Sequence, residues 1–243
     1  MSAKPKIPES KHFHLKQLAK NVYAAISSEG GWAISNAGII DLGDRVVIFD
    51  TFMTPYAGAD LRQAAEILTG QKVSVVINSH YHNDHIWGNQ SFLPDIDIIS
   101  TTETRRLITT MGIEEYRSYK ENASPHLKSL EAEYRLEKDD KKRQQIFRRI
   151  SYYEAMVKSF PKLEIILPNL TFEKDLELYG QQRKAILKAF HKGHTRSDAI
   201  LYLPEDKIIF ASDLLFVESH PYLPDGNPES WKAILDELSM LDA

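Results

Sequence analysis

SHYHNDHIWGN, residues Ser79 to Asn89, sets His80, His82, Asp84 and His85 within six consecutive positions, in a chain that holds 9 histidines among 243 residues. The run follows KVSVVIN, which reads as a buried strand, so the cluster falls on a loop at a strand's end, where α/β architectures place their chemistry. In extended backbone, side chains two apart project to the same side, and His80 and His82 can face one metal ion together. Asp84 and His85 come one turn later and can face a second ion beside it. Imidazole and carboxylate suit Zn²⁺, Fe or Mn²⁺. There is no cysteine, which excludes disulfides, thiolate ligands and a cysteine nucleophile. Every metal ligand must supply nitrogen or oxygen.

Outward from this loop the pattern alternates between strands and helices. Upstream, from Asn21 to Phe52, the runs NVYAAIS, GWAISNAGII and RVVIFDTF read as an antiparallel meander with LGD as a turn. PYAGADLRQAAEILTG reads as a helix closed by Gly70. Downstream come DIDIIS as a strand and TTETRRLITTMG as a helix. Residues 113–160 then form a charged span with an apolar stripe at Ile146, Ile150, Tyr153, Val157 and Phe160. This span predicts one long helix or a helical pair broken near KDDKK, a mixed-charge insertion that packs on the domain, overhangs the site as a lid or forms a dimer contact. The strands LTFEKDLELYG, QRKAILKAF, DAILYLP and KIIFASD follow, and the helix NPESWKAILDELSML closes the chain. Two strand-rich segments separated by helices imply an α/β fold with two sheets stacked between helical layers.

The spacing H-x-H-x-D-H after a strand resembles the metallo-β-lactamase superfamily. FDT at Phe49 to Thr51 is similar to that family's aspartate at the end of an early strand. GHTRSDAILYLPEDKIIFASDLLF, Gly193 to Phe216, resembles its third and fourth motifs. The resemblance implies a four-layer αβ/βα sandwich as one domain over residues 1–243, with the helical insertion at about 113–160. It further implies that His80, His82 and His194 hold a first metal and Asp84, His85 and Asp213 a second. Family members usually add a further histidine from a segment after the last helix, which residues up to Ala243 do not supply. This leads us to expect a sequence truncated at its C-terminus or a weakened second site, with His220 able to substitute if its loop folds back.

The activity implied is hydrolysis of an ester, thioester, lactone or amide of a small-molecule substrate by a metal-held hydroxide, with one or two Zn²⁺ per chain, or Fe or Mn²⁺ instead. Asp84 is then the catalytic residue, passing a proton to the leaving group. One alternative in the same fold is a mononuclear non-haem iron dioxygenase acting on a thiol or persulfide through His80, His194 and Asp213. Another is a catalytically weakened binding module. Asp50 is expected to orient a ligand histidine or the turn, and Asp198 to act as a cap or hydrogen-bond partner. His191 reads as an exposed histidine or one that supports a ligand from behind, and His12, His14 and His126 read as structural or surface residues. Ser197 lacks a G-x-S-x-G context for serine hydrolase chemistry. Trp32, Phe52, Tyr56, Trp87 and Tyr222 are candidates for aromatic pocket walls.

A formal net charge of -4 and a pI near 6.1 give no general attraction to nucleic acid or anionic membrane, which also counts against a phosphodiesterase or nuclease. No apolar run reaches the roughly 18 residues of a membrane span, and the N-terminus has no secretory apolar core. A soluble, cytoplasmic protein is the expectation.

Overall fold

The computed structural model describes residues 8–243. Strands β1 (Phe13–Ala19), β2 (Val22–Ser27), β3 (Ala37–Asp41), β4 (Val46–Phe49), β5 (Val73–Ile77), β6 (Asp97–Thr101) and β7 (Leu170–Phe172) form one sheet in that spatial order. Pairing is antiparallel from β1 to β4 and parallel from β4 to β7. Strands β8 (Asp175–Tyr179), β9 (Lys184–His191), β10 (Ser197–Leu203) and β11 (Ile208–Phe210) form a second, antiparallel sheet.

Strand alternation assigns the core residues to layers. On β4 and β5, Ile48 and Val76 point to one side and pack with Leu61, Ala64 and Ala65 of helix α1 (Pro55–Thr69). Val47, Phe49 and Ile77 point to the other and pack with Leu187 and Leu201 of the second sheet. Both faces are therefore buried, which is why these strands are continuous apolar runs. The outer face of the second sheet carries Phe190 and Ile200 against Trp231 and Ile234 of the C-terminal helix. The result is the expected helix, sheet, sheet, helix stack. Thr54 caps α1 by accepting from Ala57 N at 3.2 Å, and Gly70, at φ 70°, ends it.

Two segments differ from the sequence reading, and a third, the helical span, takes the second of its two expected forms. β1 was not expected: of its residues only Phe13 is fully buried, so an edge strand reads as polar sequence. LTFEKDLELYG is two strands, β7 and β8, lying in different sheets, because the chain crosses between layers at Glu173 and Lys174. The span after β6 begins with α2 (Asn83–Ile86) already behind it and continues as α3 (Thr102–Leu107), a π-helical turn at Ile108–Gly112, α4 (Ile113–Leu136) and α5 (Asp140–Ser159). The break falls at 137–139 beside KDDKK, with Asp139 capping α5 through Lys142 N at 2.9 Å. The pair packs over Met53, Tyr81, Ile86 and Trp87 through Ala155 and Met156. Helix α6 (Pro228–Ser239) is capped by Asn227.

Candidate metal centre

The cluster is assembled where the strands of both sheets end. Asp50 follows β4, Ser79 and His80 follow β5, His194 lies between β9 and β10, and Ser212 and Asp213 follow β11. His82 precedes α2, which carries Asp84 and His85. This loop is clamped to the end of β4, where Thr51 N donates to His85 O at 2.9 Å and Gly88 N to Phe52 O at 3.1 Å. A Cβ on Gly88 would lie 1.9 Å from Thr51 O, so only glycine permits the close approach. Asp50 and Ser212 occupy the left-handed region, φ 61° and 48°, a costly backbone that persists where surrounding contacts fix it. Ser212 Oγ lies 3.0 Å from Asp50 Oδ2.

Two groups of donor atoms result, and they share a wall. His80 Nε2 lies 3.1 Å from His82 Nδ1, and His194 Nε2 lies 3.0 Å from the same atom. Beside them, His85 Nε2 lies 3.3 Å from Asp213 Oδ1 and 3.6 Å from Asp84 Oδ2, while Asp213 Oδ2 lies 3.4 Å from His194 Nε2. His80, His82 and His194, and separately His80, His85 and Asp213, present atoms all within 4.8 Å of one another.

The donor set fits a divalent cation of borderline softness. The remote ring atoms of three histidines are already occupied. Asp50 Oδ2 accepts from His85 Nδ1 at 2.8 Å, Asp225 Oδ2 from His82 Nε2 at 3.0 Å, and Ser79 Oγ lies 2.9 Å from His80 Nδ1. A carboxylate only accepts, so the protons on His85 Nδ1 and His82 Nε2 point away from the centre. His85 Nε2 is buried between two carboxylates and makes no aligned hydrogen bond, an arrangement that calls for a cation.

The electrostatics follow from burial and crowding. Burial, then the neighbouring histidines, drives the His80 pKa well below its ordinary value. Burial likewise lowers His194 to about 4, against the pull of Asp213. At His85 burial works downward, but Asp84, Asp213 and Asp50 outweigh it and the pKa rises. Burial raises Asp84, whereas for Asp213 the histidines His85 and His194 overcome burial and hold the carboxyl low.

Five of the six residues expected at the metals fall in the two donor groups, and Asp84 lies beside them with Oδ2 3.6 Å from His85 Nε2. Asp50 also orients the turn as expected, accepting from Ser79 N and Oγ at 2.8 Å each. Asp198 accepts from Thr195 N and Oγ1, fixing the turn that carries His194. Ser197 bonds Thr101, and His12 Nδ1 accepts from Trp32 N. His220 is exposed and outside both donor groups. Phe52 and Trp87 are wholly buried packing residues, not pocket walls. Tyr222 does stand over the centre, its ring 5.7 Å from that of His82 and 6.3 Å from that of His194.

Sequence reasoning missed several contributors. Asp225, bonded to both Tyr81 Oη at 2.7 Å and His82, lies in YLPDGN, which signals only a turn. Tyr152 of α5 accepts from Asn83 Nδ2 at 3.2 Å and contacts Tyr119 of α4. Glu115, in the first turn of α4, has Oε2 buried without a partner, and burial raises its pKa to about 7 within electrostatic reach of His82, Asp84 and Asp225. The only sequence signal for these is the helical span itself. A π-helical turn directly before α4 is a feature often found at functional sites.

The family model described as the metallo-beta-lactamase superfamily matches residues 30–243. Among solved structures, the metallo-beta-lactamase from Pontibacter korlensis is 16% identical with a TM-score of 0.64, the match covering 95% of this chain and 86% of that one. The metallo beta lactamase from Hirschia baltica is 14% identical at TM-score 0.62, covering 94% and 85%. The metallo-beta-lactamase IND-7 is 14% identical at TM-score 0.64, covering 95% and 86%. At these identities the likeness to the solved structures is one of fold.

Proposed function

The chain belongs to the metallo-beta-lactamase superfamily, and from that premise we propose that it is a zinc-dependent hydrolase of an ester, thioester, lactone or amide in a small molecule. In this reading His80, His82 and His194 hold one ion, and Asp84, His85 and Asp213 a second. The observation that carries it is the meeting of His80 Nε2, His82 Nδ1 and His194 Nε2 beside His85 Nε2, which lies between Asp84 and Asp213. When bound, zinc supplies Lewis-acid polarisation of a carbonyl and a lowered pKa for water.

The protein's own part is orientation and proton handling. Asp50 and Asp225 fix the tautomers of His85 and His82, so that neither ring turns away from the centre. Asp84, whose pKa burial raises, is placed to carry a proton to the leaving group. Tyr222 stands at the rim, half exposed, over the two histidines. The test is hydrolysis of p-nitrophenyl acetate by the purified chain. Turnover lost to a chelator, restored by zinc and absent in His82→Ala and Asp213→Ala is the expected result; turnover intact in either variant overturns the proposal.

A further inference from the structure

Tyr81 stands between His80 and His82, yet its side chain belongs to the core and not to the cluster. The ring is buried with Met53, Ile86 and Trp87 beneath the helical pair, and meets the His82 ring edge to face with centroids 4.6 Å apart. Its hydroxyl reaches the loop before α6, where Tyr81 Oη donates to Asp225 Oδ2 at 2.7 Å. His82 Nε2 donates to the same oxygen at 3.0 Å. Phenylalanine would fill the same core volume, so the hydroxyl at this position is accounted for by Asp225.

The turn that carries Asp225 is held through its backbone. Gly226 N donates to Leu223 O at 3.0 Å and Asn227 N to Gly193 O at 3.0 Å, which seats the turn beside His194 but leaves the carboxyl to be directed by its own partners. A carboxylate oxygen has two lone pairs, and the phenol and the imidazole N–H occupy both at Oδ2. Held from two directions, the carboxyl in turn holds the ring. Without the hydroxyl, this part-exposed carboxylate can rotate toward water. The His82 ring then loses the restraint that keeps Nδ1 3.1 Å from His80 Nε2 and 3.0 Å from His194 Nε2.

We propose that Tyr81 is a positioning residue of the metal centre, acting through Asp225 to hold His82 in the tautomer and orientation that offer Nδ1 to an ion shared with His80 and His194. The proposal rests on the reading of those three histidines as ligands of one ion, and not on the reaction that the ion serves. Packing makes the tyrosine effective in this part. A ring already fixed in a core cluster gives up little further rotamer freedom when its hydroxyl bonds, so more of that bond's strength is left to order the exposed side of the centre.

The experiment measures zinc affinity of the full chain by chelator competition for the wild type, Tyr81→Phe, Asp225→Ala and the double variant. Tyr81→Phe keeps the ring and its core contacts. It is expected to weaken zinc binding by about tenfold, the effect of losing a partner behind a ligand histidine, and to add less than about twofold in the Asp225→Ala background. Unchanged affinity in Tyr81→Phe overturns the proposal. So does a loss of equal size in both backgrounds, since a merely structural tyrosine acts without regard to Asp225. The second readout is the His82 tautomer in metal-free protein, from long-range proton–nitrogen correlation spectra at alkaline pH. The proton is expected on Nε2 in the wild type and shared between the two nitrogens in Tyr81→Phe; the same tautomer in both proteins overturns the proposal. If the wild type takes up no zinc, the metal reading fails by itself, and the tautomer alone decides whether Tyr81 positions His82.

Discussion

Asp50 and Asp225 each accept a hydrogen bond from a ring nitrogen of the cluster, Asp50 from His85 at 2.8 Å and Asp225 from His82 at 3.0 Å. Asp50 is wholly buried at the end of a core strand and also holds Ser79 N, Ser79 Oγ and Ser212 Oγ. Asp225 lies in the loop before α6 with its side chain 24% exposed, and has one other partner, Tyr81. One chemical task is therefore served by two kinds of support. The His85 side is tied into the fold, so altering it alters stability. The His82 side hangs from a loop and can change metal affinity while leaving the core intact.

The contrast is broken or sharpened by four variants. Asp50→Ala strands four donors in a buried site, and we expect it to destabilise the protein by about 3–5 kcal/mol in urea unfolding; a loss under about 1 kcal/mol would erase the distinction. Asp225→Ala should weaken zinc affinity by about 10–100-fold in chelator competition, with an unfolding free energy changed by less than about 1 kcal/mol. Equal losses of stability in the two variants would show that both anchors are structural.

Glu115→Gln probes the helical pair's reach into the centre. The carboxyl's pKa is raised to about 7 by burial, so its ionised form is disfavoured in the folded state. The penalty is absent below the unfolded pKa of about 4.5, grows as pH rises and is complete above about 7. In metal-free protein the variant should therefore match the wild type at pH 4 and exceed it by about 2 kcal/mol at pH 8. A pH-independent difference would place Glu115 in solvent. The smallest effect belongs to Arg148→Ala, which removes a 3.1 Å pair with Glu29 between two exposed side chains; it should change stability by less than about 0.5 kcal/mol.

The same contrast explains what was legible. Asp50, His80, His82, Asp84 and His85 lie at or just beyond the ends of β4 and β5, whose apolar runs announce themselves because both faces are buried. His194 and Asp213 are equally tied to β9, β10 and β11. The helical pair and its break at KDDKK were readable from composition and period. Asp225, Glu115 and Tyr152 were not, because each enters the site from an exposed loop or helix by tertiary folding, and nothing in YLPDGN or in the first turn of α4 marks its residues as more than turn or surface. The crossing of β7 and β8 between sheets was hidden for a related reason: strand period reveals a face, not the sheet to which it belongs.

The most direct test of the metal centre is elemental analysis of the purified chain, as moles of zinc, iron and manganese per mole of protein, for the wild type and for His80→Ala, a residue shared by both donor groups. We predict zinc as the dominant metal at between one and two per chain, falling well below one in the variant. Iron as the dominant metal, or no metal after purification with zinc supplied, would contradict the account.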